Sequence, residues 1–158
     1  MVPSPLIEND TRWMAFALEL AQEGARQGEA PIGAVLVDNY SQKVLAHAHN
    51  APISLHDPSG HAELLAIRMA TSALQNYRLP PGLTLYVTLE PCTMCAGLIS
   101  HARVTRLVYG ASDPKGGAIE HGARFFEQKT CHHRPNVTSG VLAEPCGALL
   151  RDFFRSKR

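Results

Sequence analysis

The stretch TLEPCTMCAGLI, residues 88–99, holds two of the chain's four cysteines, Cys92 and Cys95, three positions apart behind Pro91. Whatever this pair does, the fold must bring its partners to it. A disulfide, a redox pair, a structural metal and a catalytic metal are the four readings open to it. At 158 residues the chain suits one compact domain, residues 1–158. About two thirds of the unfolded surface can be buried at that length, so no disulfide staple is required. The opening MVPSPLIEND has neither a basic segment nor a long apolar run, which predicts no signal peptide and a cytoplasmic protein with reduced thiols. No apolar run reaches membrane-spanning length, so no membrane partner is expected. The pair is then metal-binding or redox-active.

Upstream lies a second fragment of the same chemistry, His61-x-Glu63. Both fragments fall where a loop or strand enters a helix, and a helix N-terminus favours thiolates and anions. His61, Cys92 and Cys95 supply three ligands and leave the fourth tetrahedral position for water. A structural zinc is closed by four protein ligands, whereas an open one is catalytic. Two thiolates offset the zinc charge and acidify water less than an all-histidine set would, so a nearby base is useful. Glu63, two residues from His61, does not share its helix face. It suits proton transfer better than ligation. His-x-Glu followed by Pro-Cys-x-x-Cys is the signature of zinc-dependent nucleobase deaminases, and one Zn2+ per subunit is expected.

The rest of the chain reads as alternating elements. Trp13, Phe16, Ala17, Leu20 and Ala21 share one face of a helix over 11–27, with Asp10 or Thr11 placed to cap it. Strands are predicted over 31–37, 43–49, 83–89 and 104–110, and a short one in NVTSGV. Further helices are predicted over 61–74, with Leu64, Leu65, Ile67 and Met69 available to the core, over 92–102, and from Cys146 to the end, with Pro145 in the first turn. Residues 50–60 and 111–117 read as loops. Strands alternating with helices predict an α/β fold whose sheet is covered on both faces.

Charge is uneven. The chain carries +1 overall, but its last eight residues, RDFFRSKR, carry four basic and one acidic residue, net +3, leaving −2 on the preceding 150. This basic helix end, about 146–158, has two readings: a contact for a phosphate backbone, or a solvated terminus whose cations offset the helix dipole. GASDPKGG lacks the Gly-Lys-Ser/Thr ending of a phosphate loop, so no nucleotide cofactor is expected. Cys131 reads as a reduced surface thiol and Cys146 as core. His101, Arg103 and Arg106 read as a solvated face, and one of His47 and His49 as packed.

Beyond these motifs, the chain resembles the bacterial tRNA-specific adenosine deaminases. The resemblance runs through APIGAVLV, HDPSGHAELLAIR, QNYRL, TLYVTLEPCTMCAGLI, GASDPKGGA and LLRDFFRSKR. HAE with PCTMC is shared with cytidine, cytosine and guanine deaminases; QNYRL, the Asp113-x-Lys115 segment and the terminal DFFR are more specific to the tRNA enzymes. The resemblance implies a three-layer α/β/α sandwich of the cytidine-deaminase type, with a mixed sheet of about five strands. It also implies a homodimer with a site shared across the interface. The implied reaction converts the wobble adenosine of a tRNA anticodon loop to inosine, with ammonia released. Zinc would be held by His61, Cys92 and Cys95, with Glu63 as proton shuttle and Asn50 hydrogen-bonded to the base. Pro31, Asp113, Lys115, Arg134, Phe153 and Arg155 would join the substrate contacts. An anticodon loop suits such a site, since its bases are already splayed. The segments IEHGARFF and HHRPNV depart from the family's usual residues, within the region implied to meet RNA or the partner subunit. The alternative enzyme is a deaminase of free guanine or cytosine, which needs no basic tail. The alternative of another class is a zinc-stabilised RNA-binding module, which predicts a fourth ligand such as Cys131 or His132.

Overall fold

Strands β1 (Gly33–Asp38), β2 (Val44–His49), β3 (Leu83–Leu89), β4 (Arg106–Ala111) and β5 (Asn136–Thr138) form one mixed sheet in the order β2-β1-β3-β4-β5. β1 is antiparallel to both β2 and β3, while β3, β4 and β5 run parallel. The computed structural model describes residues 5–157, with side chains from Asn9 onward. Helices are α1 (Pro5–Arg26), α2 (Pro52–Leu55), α3 (Ala62–Leu74), α4 (Thr93–Ala102) and α5 (Ala143–Ser156).

Alternation along the central strands builds two cores. Ala34, Leu36, Leu85, Val87, Leu107 and Tyr109 face α3 and α4, and Val35, Val37, Tyr86 and Val108 face α1 and α5. Successive strand residues point to opposite sides, and here both sides are apolar, as a sheet sandwiched between helices requires. The predicted three-layer α/β/α sandwich is therefore the observed one. α1 lies so close on β1 that a Cβ at Gly33 would sit 2.0 Å from the Ala17 carbonyl oxygen. No helix among the described residues is long and apolar enough to cross a membrane.

Several expectations are corrected. α1 begins at Pro5, not at residue 11, because proline suits a first helical turn. Asp10 is thus no cap but a buried mid-helix carboxylate. It accepts from Tyr86 Oη at 2.8 Å and from Arg106 Nη1 and Nη2 at 2.7 and 2.6 Å. Arg106 is accordingly a partner in a buried ion pair and not part of a solvated face. α3 turns the small side chains of Ala62, Ala66 and Ala70, with Ile67, to the sheet, and Met69 is half exposed. Small residues at this spacing let the helix axis approach closely. The loop 50–60 contains the single turn α2, opened by Pro52. Cys131 is buried: its thiol donates to the His133 carbonyl at 3.2 Å and lies 3.5 Å from Ser100 Oγ. Cys146 is core, as predicted. The departing segment 119–126 extends the α4 side of the core through Ile119 and Phe126. The opening residues 1–4, on which the absence of a leader was partly read, and Arg158 lie outside the described residues.

Candidate active site

Two helix starts meet at one end of the sheet. His61 is the last extended residue before α3 and Cys92 the last before α4; neither cap residue uses its side chain to cap its helix. The imidazole and thiol are therefore free to face each other. His61 Nδ1 lies 3.5 Å from Cys92 Sγ and 3.6 Å from Cys95 Sγ, the latter one turn into α4. Among the described residues this is the one group of three or more potential ligands whose donor atoms all lie within 4.8 Å of one another. A tetrahedral zinc with Zn–N near 2.05 Å and Zn–S near 2.3 Å sets N and S roughly 3.6 Å apart. The donor set and its spacing fit that ion. The two sulfurs are also coupled to each other. The hydrogen bond from Cys95 holds the Cys92 thiol down at about 5, and the same interaction, with burial, pushes Cys95 well up.

Glu63 stands in the first turn of α3, buried. Burial pushes its carboxyl up to about 7, and the neighbouring Cys92 adds to this against its own backbone amide. A group of that acidity both takes and returns a proton near neutral pH. Asn50, just past β2, is buried and accepts from the Ala62 amide through Oδ1 at 3.2 Å. It supplies the cap that α3 otherwise lacks. With Oδ1 engaged, its Nδ2 donor is the part left for a ligand. Asn50, His61, Glu63 and Cys92 line a pocket of about 200 Å3 with Ile32, Leu89, Glu90, Asp113 and Gly116.

Comparison with known proteins gives the same answer. Residues 8–158 match the MafB19-like deaminase family. The tRNA-specific adenosine deaminase of Agrobacterium fabrum is 53% identical over 148 residues, covering 94% of this chain and 95% of that protein. The chain belongs to this deaminase family. A solved structure from work on A-to-I editing by tRNA:A34 deaminases superposes with a TM-score of 0.85 at 52% identity, covering 89% of this chain and 99% of that one. A guanine deaminase from Nitrosomonas europaea shares the fold alone, with a TM-score of 0.74 at 22% identity, covering 97% of this chain and 93% of that one.

In this deaminase, a second and larger cavity of about 760 Å3 adjoins the first and shares Leu89 and Asp113 with it. Lys115, Arg151, Phe154, Arg155 and Lys157 line it. The structure thus brings Asp113, Lys115 and Arg155 together in a cavity that adjoins the one lined by His61 and Cys92. Asp113 also spends its carboxylate on its own loop, since Oδ1 accepts from the Lys115 and Gly116 amides at 3.2 and 3.0 Å. Phe153 is half-buried and Phe154 half exposed, packed edge to face with centroids 5.4 Å apart, so Phe154 is the ring that faces the groove. Besides Phe153, two of the expected substrate contacts, Pro31 and Arg134, line neither cavity. Pro31 is buried outside the pocket wall, where its neighbour Ile32 stands instead. Arg134 is exposed but staples its own segment, donating to the Phe126 and Gln128 carbonyls at 2.5 and 3.0 Å. QNYRL follows α3, starting at its C-cap Gln75, and the Leu79 amide donates to the Ala102 carbonyl at the far end of α4. Sequence reasoning missed Ile32, Leu89 and Glu90. The last had a visible signal: a carboxylate at the end of an apolar strand, directly before Pro91.

Proposed function

We propose that this chain hydrolyses the wobble adenosine of a tRNA anticodon loop to inosine, acting in the cytoplasm as a single-domain subunit of a homodimer. The observation that carries the choice of substrate is the basic groove running off the base-sized pocket. A free base needs the pocket and nothing more. A strand threading past it meets Lys115, Arg151, Arg155 and Lys157 for its phosphates and Phe154 for a neighbouring base. The relatives named as tRNA-specific adenosine deaminases support the same reading.

His61, Cys92 and Cys95 would hold one zinc, whose chemistry at this site is to acidify a water and polarise it toward attack. The chain's own residues do the rest. Asn50 orients the purine through its free amide donor. Ile32 and Leu89 exclude bulk water from the ring. Glu63 takes a proton from the attacking water and delivers it to the amino group on carbon 6. The new bond is carbon–oxygen, the bond that breaks is carbon–nitrogen, and ammonia leaves. The non-catalytic alternative loses its support, because Cys131 and His132 are outside the ligand cluster. Cys131 touches Ser100, eight residues down α4 from Cys92 and so roughly 12 Å away at 1.5 Å per residue. For the dimer, the support is exposed apolar residues beside the site: Ile53 and Leu55 on α2, just past Asn50, and Met94 between the two cysteines. Mass spectrometry of nucleosides from tRNA incubated with the purified protein tests the reading. Inosine should accumulate, whereas free guanine and cytosine should stay intact.

A further inference from the structure

One buried carboxylate near His61 and Cys92 stands outside the group of potential ligands. Glu90 follows β3 and its side chain is wholly enclosed. Oε1 accepts from the Asp113 amide at 3.0 Å and lies 2.8 Å from His121 Nδ1. Oε2 accepts from the amides of Ile119, Glu120 and His121 at 3.1, 3.0 and 3.2 Å. Residues 113–121 therefore wrap around a single anion. The Ala118 amide, bonded to the Pro91 carbonyl at 2.9 Å, ties the same segment to the turn that carries Cys92. Gly117 fits against the carboxylate only because it has no side chain; a Cβ there would lie 2.4 Å from Glu90 Cδ.

This segment supplies Asp113 and Gly116 to the base pocket and Lys115 to the groove. We infer that Glu90 is a positioning residue that sets this substrate-facing wall against the metal turn. The inference rests on the tRNA reading above. A carboxylate offers only acceptors, and the donors around it are four backbone amides and a ring nitrogen. Glutamine keeps the size but turns an NH2 donor toward donors, so the amides lose their partner and the wall moves. The ligands have separate support. The His61 carbonyl accepts from Leu65 at 3.0 Å and the Cys92 carbonyl from Ala96 at 2.8 Å, both inside the helices they open. Displacing the wall should therefore weaken substrate binding and leave metal and chemistry in place.

The test is steady-state kinetics of the zinc-loaded, full-length protein on an anticodon stem-loop, with metal content measured on the same samples. Glu90→Gln should raise KM about tenfold, the scale of one missing charge-assisted hydrogen bond. Its kcat should stay within about threefold and its zinc at the wild-type level, the pattern of weakened uniform binding. An unchanged KM overturns the inference, as does joint loss of zinc and kcat, which would make Glu90 a support for the metal turn. Should Glu90→Gln fail to fold, His121→Ala takes its place. It removes the ring donor and leaves the backbone donors, so KM should rise about threefold with zinc unchanged; an unmoved KM overturns the inference there too. Wild-type protein separates the two failures. No wild-type turnover refutes the tRNA reading, whereas wild-type turnover beside an unmoved KM in the variant refutes the role of Glu90.

Discussion

At Glu63, one residue into α3, the first turn of a helix and the interior of a sandwich act in opposite directions. Burial raises the carboxyl while its own amide lowers it, and the outcome of about 7 is what a proton carrier needs. Glu63→Ala should keep zinc, fold and RNA binding. Inosine formation should fall by about two to four decades, the usual contribution of one general acid–base group. Near-normal turnover by mass spectrometry would remove Glu63 from the chemistry. Cys95 differs in kind. It is fully buried on α4, and removing a ligand removes binding energy that belongs to folding. Cys95→Ala should lose zinc and melt at a lower temperature together. Metal analysis beside a thermal melt checks this, and full zinc occupancy at wild-type affinity would refute the ligand assignment.

Among the elements, α3 and α4 hold the proposed ligands and proton carrier at their N-termini, and α5 carries the charge. α5 buries only Cys146 fully, and its Arg151 and Arg155 are exposed. Its ion pairs, Arg151–Glu144 at 2.9 Å and Arg155–Asp152 at 3.7 Å, are surface pairs that contribute little to stability. Changing Arg155, Lys157 and Arg158 to alanine should therefore leave zinc content and melting temperature unmoved. Binding to an anticodon stem-loop should weaken, and its salt slope should flatten by roughly 0.7–0.9 for each phosphate no longer neutralised. A salt series showing wild-type affinity and slope would reduce the tail to a solvated helix end.

For the whole molecule, apolar residues left exposed around the site mouth argue for a second copy. Light scattering at micromolar concentration should give twice the subunit mass of 17.2 kDa; a monomer would contradict it. Acid sensitivity is also a property of the assembled fold. Glu29 is buried. Burial alone would raise its carboxyl, but the Ser54 and Ile53 amides, at 2.8 and 3.2 Å, outweigh burial and hold it below the ordinary 4.5. A carboxylate lowered in the folded state contributes stability that is present above its unfolded value and is lost as pH falls through its folded one. Urea unfolding should thus show Glu29→Gln less stable than wild type at pH 7. The gap should close progressively below pH 4.5, and a gap that widens on acidification would be the wrong sign.

Much of this protein was legible in its sequence because its chemistry is local. His61-x-Glu63 and Cys92-x-x-Cys95 each lie on one helix start, and spacing alone sets which side chains share a turn. The strand β1 announced itself by the apolar run PIGAVLV, as a strand of a sheet covered on both faces does. Tertiary structure decided the rest, because those choices depend on partners far along the chain. Asp10 reads as a cap until Arg106, ninety-six residues on, claims it within the interior. Arg134 reads from sequence as an RNA contact, and only the fold shows that it also holds carbonyls of its own segment. Cys131 reads as a surface thiol until Ser100 and His133 enclose it. Glu90 is one acidic residue in the sequence; it became a hub only when the fold brought four amides to it, since a buried carboxylate persists only where its acceptors are filled.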